Sequence, residues 1–185
     1  MYIEREQLTN TIKELEETLK GYVLPLWDEL PDIELYMDQV ITLTEKYLAI
    51  YQGVLGSDKI ITHSMINNYV KLEIIPPPFK KRYSRVHLAY LILLCTLKQT
   101  LDMSTIKKIV PLNLPEEELK KIYNSFVKNQ QKAFLYVTEN VRSVADPILN
   151  LEGDNQARMN DLLLQVASSA NVCKIMTKKI TDLSE

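Results

Sequence analysis

The chain has 185 residues, 46% of them hydrophobic, and a formal net charge of −2. This length and hydrophobic content suffice to bury a core, which excludes a wholly disordered chain. The N-terminal residues lack the apolar run of a signal peptide, and the longest uncharged apolar run, Val86–Leu97, is shorter than the roughly 20 residues of a membrane span. We therefore expect a cytoplasmic protein that does not enter a membrane.

The small net charge conceals a strongly polarised chain. Residues 59–109 contain nine Lys and Arg against two acidic residues, a net charge of +7. Residues 1–58 contain four basic and twelve acidic residues, a net charge of −8, and residues 110–185 are close to neutral. A compact basic segment within an acidic chain indicates an anionic partner, for which nucleic acid is the first candidate.

The N-terminal third is predicted to form two helices. The first covers about residues 4–20, with an apolar stripe at Leu8, Ile12, Leu15 and Leu19. A second helix is predicted after Pro31 with Asp32 as its N-cap. The glycines near residues 53–58 predict a loop.

The basic segment is predicted to hold three helices and a stiff turn. Thr62 is a good N-cap for a helix over about residues 63–72, which turns Ile66 and Tyr69 inward. Three consecutive prolines at 76–78 then exclude helix, and a short two-stranded ribbon is predicted over about residues 74–83. Ser84 caps an apolar core helix over about residues 85–101, and Asp102 or Ser104 caps another over 105–109.

The C-terminal third is predicted to be a helical pair. A long helix covers about residues 116–144 and is expected to end at Asp146-Pro147; a loop at 152–155 and a helix over about 156–180 follow. Both helices carry near-heptad apolar stripes, which either pack within one chain or form a two-fold dimer interface. The predicted domains are 1–31, an N-terminal helix and linker; 32–110, the central domain; and 111–185, a helical region that could dimerise.

Residues that would support catalysis or metal binding are not grouped in the sequence. Cys95 and Cys173 both lie in apolar helical contexts, and neither belongs to a metal-binding spacing. His63 and His87 have no second ligand at a convincing distance along the chain. Since no phosphate-binding glycine loop and no nucleophile–histidine pattern occurs, we expect neither an enzyme nor a cofactor or metal site.

The order of the parts in the basic segment is that of a winged helix-turn-helix. The short helix would lie in the major groove, and its base-reading candidates are Ser64, Asn67, Asn68 and Lys71. The candidate phosphate-binding residues are Thr62, Lys80, Lys81, Arg82 and Arg85. Tyr83 would anchor the basic wing, residues 79–83, to the core.

The segment resembles the MerR-type DNA-binding domain, with a capped recognition helix, a proline exit, a basic wing that ends in tyrosine, and a later Ser-x-x-Ile-like turn. The matching positions are Thr62, Tyr69, Ile75-Pro76, Lys81-Arg82-Tyr83 and Ser104-Thr105-Ile106. Residues 65–69 with the three prolines, and residues 35–40 upstream, are more similar still to an uncharacterised bacterial family known as a domain of unknown function (DUF1836-like). The resemblance implies an all-α, MerR-like winged helix-turn-helix core with a short β-ribbon wing, flanked by an N-terminal helix and a C-terminal helical pair.

These features predict a sequence-specific transcriptional regulator that binds double-stranded DNA as a homodimer. The sequence identifies no small-molecule effector. A protein-interaction module that never binds DNA is the alternative, because the acidic residues 4–58 could cover the basic surface. The basic tripeptide would then be a solvated turn, and the two asparagines only the polar face of a helix.

Overall fold

The structure, a computed structural model, describes residues 5–52, 59–150 and 156–183. These residues form seven α-helices and two short 3₁₀ helices, Trp27–Glu29 and Ala49–Tyr51. The α-helices are α1 (Arg5–Gly21), α2 (Met37–Tyr47), α3 (His63–Lys71), α4 (Arg85–Leu97), α5 (Met103–Ile109), α6 (Glu116–Asn150) and α7 (Gln156–Asp182). The predicted all-α class is therefore confirmed, whereas the loops predicted at 53–58 and 152–155 lie outside the described residues.

The chain divides into two compact units. The central unit comprises Leu24–Val127 together with Thr181–Glu185, and the terminal unit comprises Met1–Val23 together with Lys128–Ile180. The predicted central domain, residues 32–110, lies inside the first of these. None of the described helices combines the length and apolar character that crossing a membrane requires.

Helix α4 forms the core of the central unit. All ten residues from His87 to Thr96 are buried, as its nearly continuous apolar sequence predicts. Helix α2 packs against both α3 and α4. From the middle of α4, the Tyr90 hydroxyl donates a hydrogen bond to the Pro111 carbonyl at 2.9 Å, which fixes the position of the segment that follows α5.

Contacts between residues nearly one hundred positions apart close the central unit. The buried ring of Trp27 meets the ring of Tyr123 edge to face, with 6.2 Å between centroids. The Tyr123 hydroxyl donates to the Pro25 carbonyl at 3.0 Å, and the Asn124 side-chain oxygen accepts from the Trp27 backbone N–H at 2.8 Å. The first turns of α6 are therefore part of this core, because they satisfy the backbone of residues 25–27.

The second helix begins later than its sequence predicts. Asp32 was expected to cap it, but α2 starts at Met37 and Ile33 is exposed. The reason is a long-range backbone pairing: Leu35 and Tyr83 exchange two N–H···O hydrogen bonds, both 2.8 Å long, which holds residue 35 extended. The helix can start only beyond this bridge, where the Gln39 side chain accepts from the Tyr36 N–H at 2.8 Å.

The predicted β-ribbon wing is wrong as a strand pair. Between residues 74 and 83 the structure has no strand, only two isolated bridges, Phe79 with Arg82 and Leu35 with Tyr83. Three prolines at 76–78 supply no N–H groups for a ladder, and only two residues separate Phe79 from Arg82. What remains of the ribbon is a tight turn.

The prediction that Pro147 ends the long helix is also wrong, since α6 continues to Asn150. Proline has no backbone N–H, so a helix that contains it loses the hydrogen bond from that position to the carbonyl four residues earlier. Here the loss falls in the last turn, where only three residues follow, so most of the 35-residue helix keeps its hydrogen bonds.

The terminal unit contains α1, the second part of α6, and α7 as far as Ile180. The Tyr22 and Phe134 rings pack edge to face at 5.6 Å. The nearly buried Glu16 carboxylate lies 3.7 Å from both Lys20 and Arg142, whereas Leu15, part of the predicted apolar stripe, is half exposed. In α1 an ion pair thus occupies part of the face that the apolar pattern predicted to be hydrophobic.

Replacement of Tyr123 by Phe should destabilise the central unit by about 1 kcal/mol, because it removes the hydrogen bond to the Pro25 carbonyl and keeps the ring contact with Trp27. Urea unfolding followed through Trp27, the chain's one tryptophan, measures this directly. Tyr136→Phe, on the same helix but with an exposed ring, is the control and should change the free energy of unfolding by less than about 0.5 kcal/mol. Equal effects of the two substitutions would contradict the closure role of Tyr123.

Candidate nucleic-acid interface

Helix α3 presents one polar face to solvent. Its buried residues are Ile66 and Tyr69, which point into the central unit. The exposed side chains of interest are Ser64, Asn67, Asn68 and Lys71. Their spacing of i, i+3, i+4 and i+7 places all four on one stripe, about 10 Å long. All four base-reading candidates therefore lie together and are accessible.

Both ends of α3 are fixed by local hydrogen bonds. At the start, the Thr62 hydroxyl accepts from the Met65 N–H at 3.2 Å. At the end, the Ile74 N–H bonds the Tyr69 carbonyl and the Glu73 N–H bonds the Val70 carbonyl, the pattern of a Schellman motif. Glu73 occupies its left-handed position with φ of 53°, where glycine is more usual.

Two lysines from other helices hold α3 in place. The Lys98 ammonium, at the end of α4, donates to the Tyr69 hydroxyl at 3.2 Å and to the Ile60 carbonyl at 3.1 Å. Burial, with a smaller contribution from Cys95, raises the pKa of Tyr69 to about 12, so its hydroxyl stays protonated. Lys107 of α5 donates to the Leu72 carbonyl at 2.8 Å and places a further cation beside the end of α3.

The turn at residues 79–82 carries the other cations of the candidate site. The Arg82 N–H bonds the Phe79 carbonyl at 2.8 Å, and Lys80 and Lys81 have φ of 47° and 62°. Two successive positive φ values are the pattern of a type I′ turn, which favours Asn-Gly. Two lysines at these positions cost about 1 kcal/mol each in backbone strain. Both lysines are exposed at the tip, and the neighbouring Phe79 is 68% exposed.

The base of this turn is rigid. Tyr83 is buried, and its ring meets that of His87 at 5.3 Å. His87 Nδ1 accepts from the Ser84 N–H at 3.0 Å, so the ring proton of the neutral form belongs on Nε2, which faces the Pro77 carbonyl at 3.4 Å. The imidazole thus links the proline segment, the turn and the start of α4. Burial lowers the pKa of His87, against a smaller opposing effect of the proline carbonyls.

The two arginines of the predicted phosphate-binding set lie in different surroundings. The Arg82 guanidinium stacks on the Tyr36 ring at 3.7 Å and remains partly exposed. The Arg85 side chain is only 16% exposed and lies 3.5 Å from the Asp32 carboxylate. The structure therefore groups Lys80, Lys81 and Arg82 at one turn and turns Arg85 largely inward.

Sequence reasoning did not find three of the residues that shape this surface. Lys98 bonds Tyr69, 29 positions earlier in the chain, and Lys107 bonds Leu72, 35 positions earlier, and no local pattern indicates either contact. Asp38 lies 2.7 Å from His63 at the start of α3, so an acidic group borders the polar stripe. Among the residues that the structure describes, no three His, Cys, Asp or Glu side chains are close enough to hold a metal ion.

Comparison with known proteins gives one family. The family model described as "Domain of unknown function (DUF1836)" matches residues 25–126, more than half of the chain and nearly the whole span of the central unit, Leu24–Val127. No curated protein and no solved structure matches the chain.

The pKa of His87 generates a prediction about stability and pH. Folding lowers the pKa of His87 below its unfolded value of about 6.5. Above that pH both states are neutral at this residue, and the free energy of unfolding is at its full value. As the pH falls below about 6.5, the unfolded chain binds a proton more readily than the folded chain, so the free energy of unfolding decreases. Urea unfolding of the central unit, followed through Trp27 from about pH 8 to about pH 5, should show this loss. His87→Gln should weaken the dependence, since glutamine at this position still accepts from the Ser84 N–H but does not titrate.

His63→Gln is the matched control, because His63 is the other histidine of the chain and is exposed. This variant should keep the wild-type decline in stability toward acid pH. If the His87 variant declines as steeply as the wild type, His87 does not cause the dependence.

Proposed function

Since this chain belongs to the DUF1836 family, whose description leaves the function open, we propose from the geometry of the family domain that the protein is a sequence-specific DNA-binding transcriptional regulator. One observation carries the proposal. A nine-residue helix, fixed at both ends, presents Ser64, Asn67, Asn68 and Lys71 on a single exposed stripe. Amides, hydroxyls and ammonium groups on a rigid helix are the side chains that read base edges in the major groove.

The finer fold proposal is a MerR-like helix-turn-helix without a β-ribbon wing. Helices α2 and α3, which pack on each other, are the helix-turn-helix pair, and α3 is the recognition helix. The tight turn at residues 79–82 takes the place of the wing. Its backbone is fixed to the start of α2 by the bridge between Leu35 and Tyr83, so the cations of the turn keep a constant position relative to the helix pair.

The roles of the polar side chains follow from their chemistry. Asn67 and Asn68 each present one donor and one acceptor group, the pattern that matches the N6 and N7 edge of adenine. Ser64 bonds a base or a phosphate, and Lys71 a guanine or a phosphate. Thr62 lies at the positive end of the α3 dipole, where a phosphate oxygen would be stabilised.

Phosphate contacts are assigned to the cations around α3. Lys80 and Lys81 are exposed at the turn, and Lys107 lies next to the last turn of α3. Arg82 contributes a guanidinium oriented by the Tyr36 ring. The burial of Arg85 beside Asp32 makes it a support for the turn more than a direct phosphate ligand.

One copy of α3 is too short to specify a DNA site alone. Nine residues extend about 13 Å, enough to contact a few base pairs. Helix-turn-helix proteins overcome this limit as dimers that bind two half-sites about one DNA turn apart. We therefore propose a homodimer as the DNA-bound form.

The primary test is selection of bound fragments from a genomic library of double-stranded DNA with the purified protein, which should return a motif of two related half-sites. Binding to that motif should weaken with salt, with a slope of log K against log salt of about −5, if a dimer neutralises about six phosphates. Lys80→Glu with Lys81→Glu should abolish binding to every DNA, because the turn then repels phosphate. Gel shifts over a salt series measure both effects.

The matched control is Lys121→Glu with Lys128→Glu, which changes the net charge equally at two exposed lysines of α6. This variant should retain most of the affinity. Equal losses in the two variants would show that net charge alone, and not the turn, governs binding; no loss in the turn variant would remove the turn from the interface.

Asn67→Ala tests base reading separately from phosphate binding. It should weaken the selected site by about 1–3 kcal/mol and leave the affinity for unrelated DNA unchanged. Glu14→Ala, on the exposed surface of α1, is the control and should change neither affinity. A uniform loss on all sequences in the Asn67 variant would contradict a base-reading role.

A further inference from the structure

We propose that α7 forms a parallel two-stranded coiled coil with the α7 of a second copy of this chain. This inference supplies an interface for the homodimer that the proposed function requires, and it is tested without DNA, so that a failure to dimerise and a failure to bind DNA are measured separately. The surface involved, here called the α7 seam, consists of Val166, Ser169, Cys173, Met176 and Ile180.

The α7 seam continues an interface that already exists within the chain. Met159 and Leu162 are 2% and 4% exposed, so the side chains at the start of this stripe are already covered within the chain. In heptad terms these two residues occupy positions a and d, and the seam residues are the next a and d positions along the helix. Val166, Met176 and Ile180 are nevertheless 38%, 57% and 63% exposed. The chain thus covers the start of the stripe and leaves two further heptads uncovered.

Charge and side-chain size favour a second copy as the occupant. Every seam residue is uncharged, and Lys174 and Lys178 fall at the outward positions b and f. Lys179, at position g, is the one charged residue that flanks the seam within residues 163–180. Identical helices can therefore pair in register with little like-charge repulsion. The small Ser169 and Cys173 at the centre allow the two backbones to approach, while the larger Val, Met and Ile residues fill the layers on either side.

The test is the mass of the full-length protein in solution. Sedimentation velocity over a concentration series should show a species of twice the 21.4 kDa chain mass, in equilibrium with monomer. Val166→Glu with Met176→Glu should weaken association at least about 100-fold, because it buries carboxylates in the seam. Both residues are already exposed in one copy, and glutamate favours helix, so the variant should fold with unchanged helix content by circular dichroism.

The control substitutes two exposed apolar residues about half a turn away round the same helix. Leu164→Glu with Ile175→Glu changes positions that are 66% and 53% exposed but lie outside the seam. This variant should associate like the wild type. A wild type that remains monomeric, or a loss of association in the control but not in the seam variant, would overturn the proposal.

Cross-linking tests the parallel register. Cys173 is exposed and occupies a central a position, which faces its own copy in a parallel pair. A short bismaleimide, to which each thiolate adds once, should link two chains through Cys173 and give a covalent dimer. Cys95 is buried and its pKa is raised to about 11, so it should not react, and Cys173→Ser should abolish the product. A dimer by sedimentation that fails to cross-link would exclude the parallel, in-register arrangement.

Discussion

The geometry of the candidate interface depends on the burial of α4. Ten consecutive residues of this helix, His87 to Thr96, are buried, so its position within the central unit is fixed by packing on all sides. The interface is attached at its two ends. At the N-terminus, His87 and Ser84 hold the turn at 79–82 and the proline segment; at the C-terminus, Lys98 holds α3 through the Tyr69 hydroxyl. Helix α3 and the turn are therefore both attached to one buried helix, and such preorganisation is what the proposed DNA-reading surface needs.

The segment that precedes α4 contains residues other than glycine in the left-handed backbone conformation, which strains the chain at positions where glycine would not be strained. Glu73, Lys80 and Lys81 all have positive φ, and all three lie between the end of α3 and the start of α4. The Schellman motif explains Glu73, since the αL residue lets Ile74 turn back and bury its side chain. No comparable packing gain explains Lys80 and Lys81, whose side chains are exposed. The Lys80 ammonium lies 5.2 Å from the centre of the exposed Phe79 ring, and under the proposed function the exposed charges of this turn would face phosphate.

Features that depend on local sequence could be predicted, and features that depend on distant contacts could not. The inward and outward faces of α3 follow from helical period and from the Thr62 cap, both readable within ten residues. The late start of α2 was missed because Leu35 pairs with Tyr83, 48 positions away. The roles of Lys98 and Lys107 were missed for the same reason. The sequence around a lysine near a helix end does not indicate which carbonyl or hydroxyl the fold will bring within hydrogen-bond distance of it. The ribbon prediction failed where local reasoning was incomplete: the prolines excluded a ladder as well as a helix.

The two proposals, DNA reading and dimer assembly, concern different parts of the chain. The family match ends at residue 126, where α6 has completed the central unit through Tyr123 and Asn124. The α7 seam lies wholly outside the matched residues, so the family domain contributes no residue to the proposed dimer interface. A domain that reads only a few base pairs gains little specificity alone, whereas two linked copies multiply weak half-site affinities through effective concentration. If both proposals hold, the matched domain determines which bases are read, and α7 determines that two such domains act together, which makes the two properties separable by mutation.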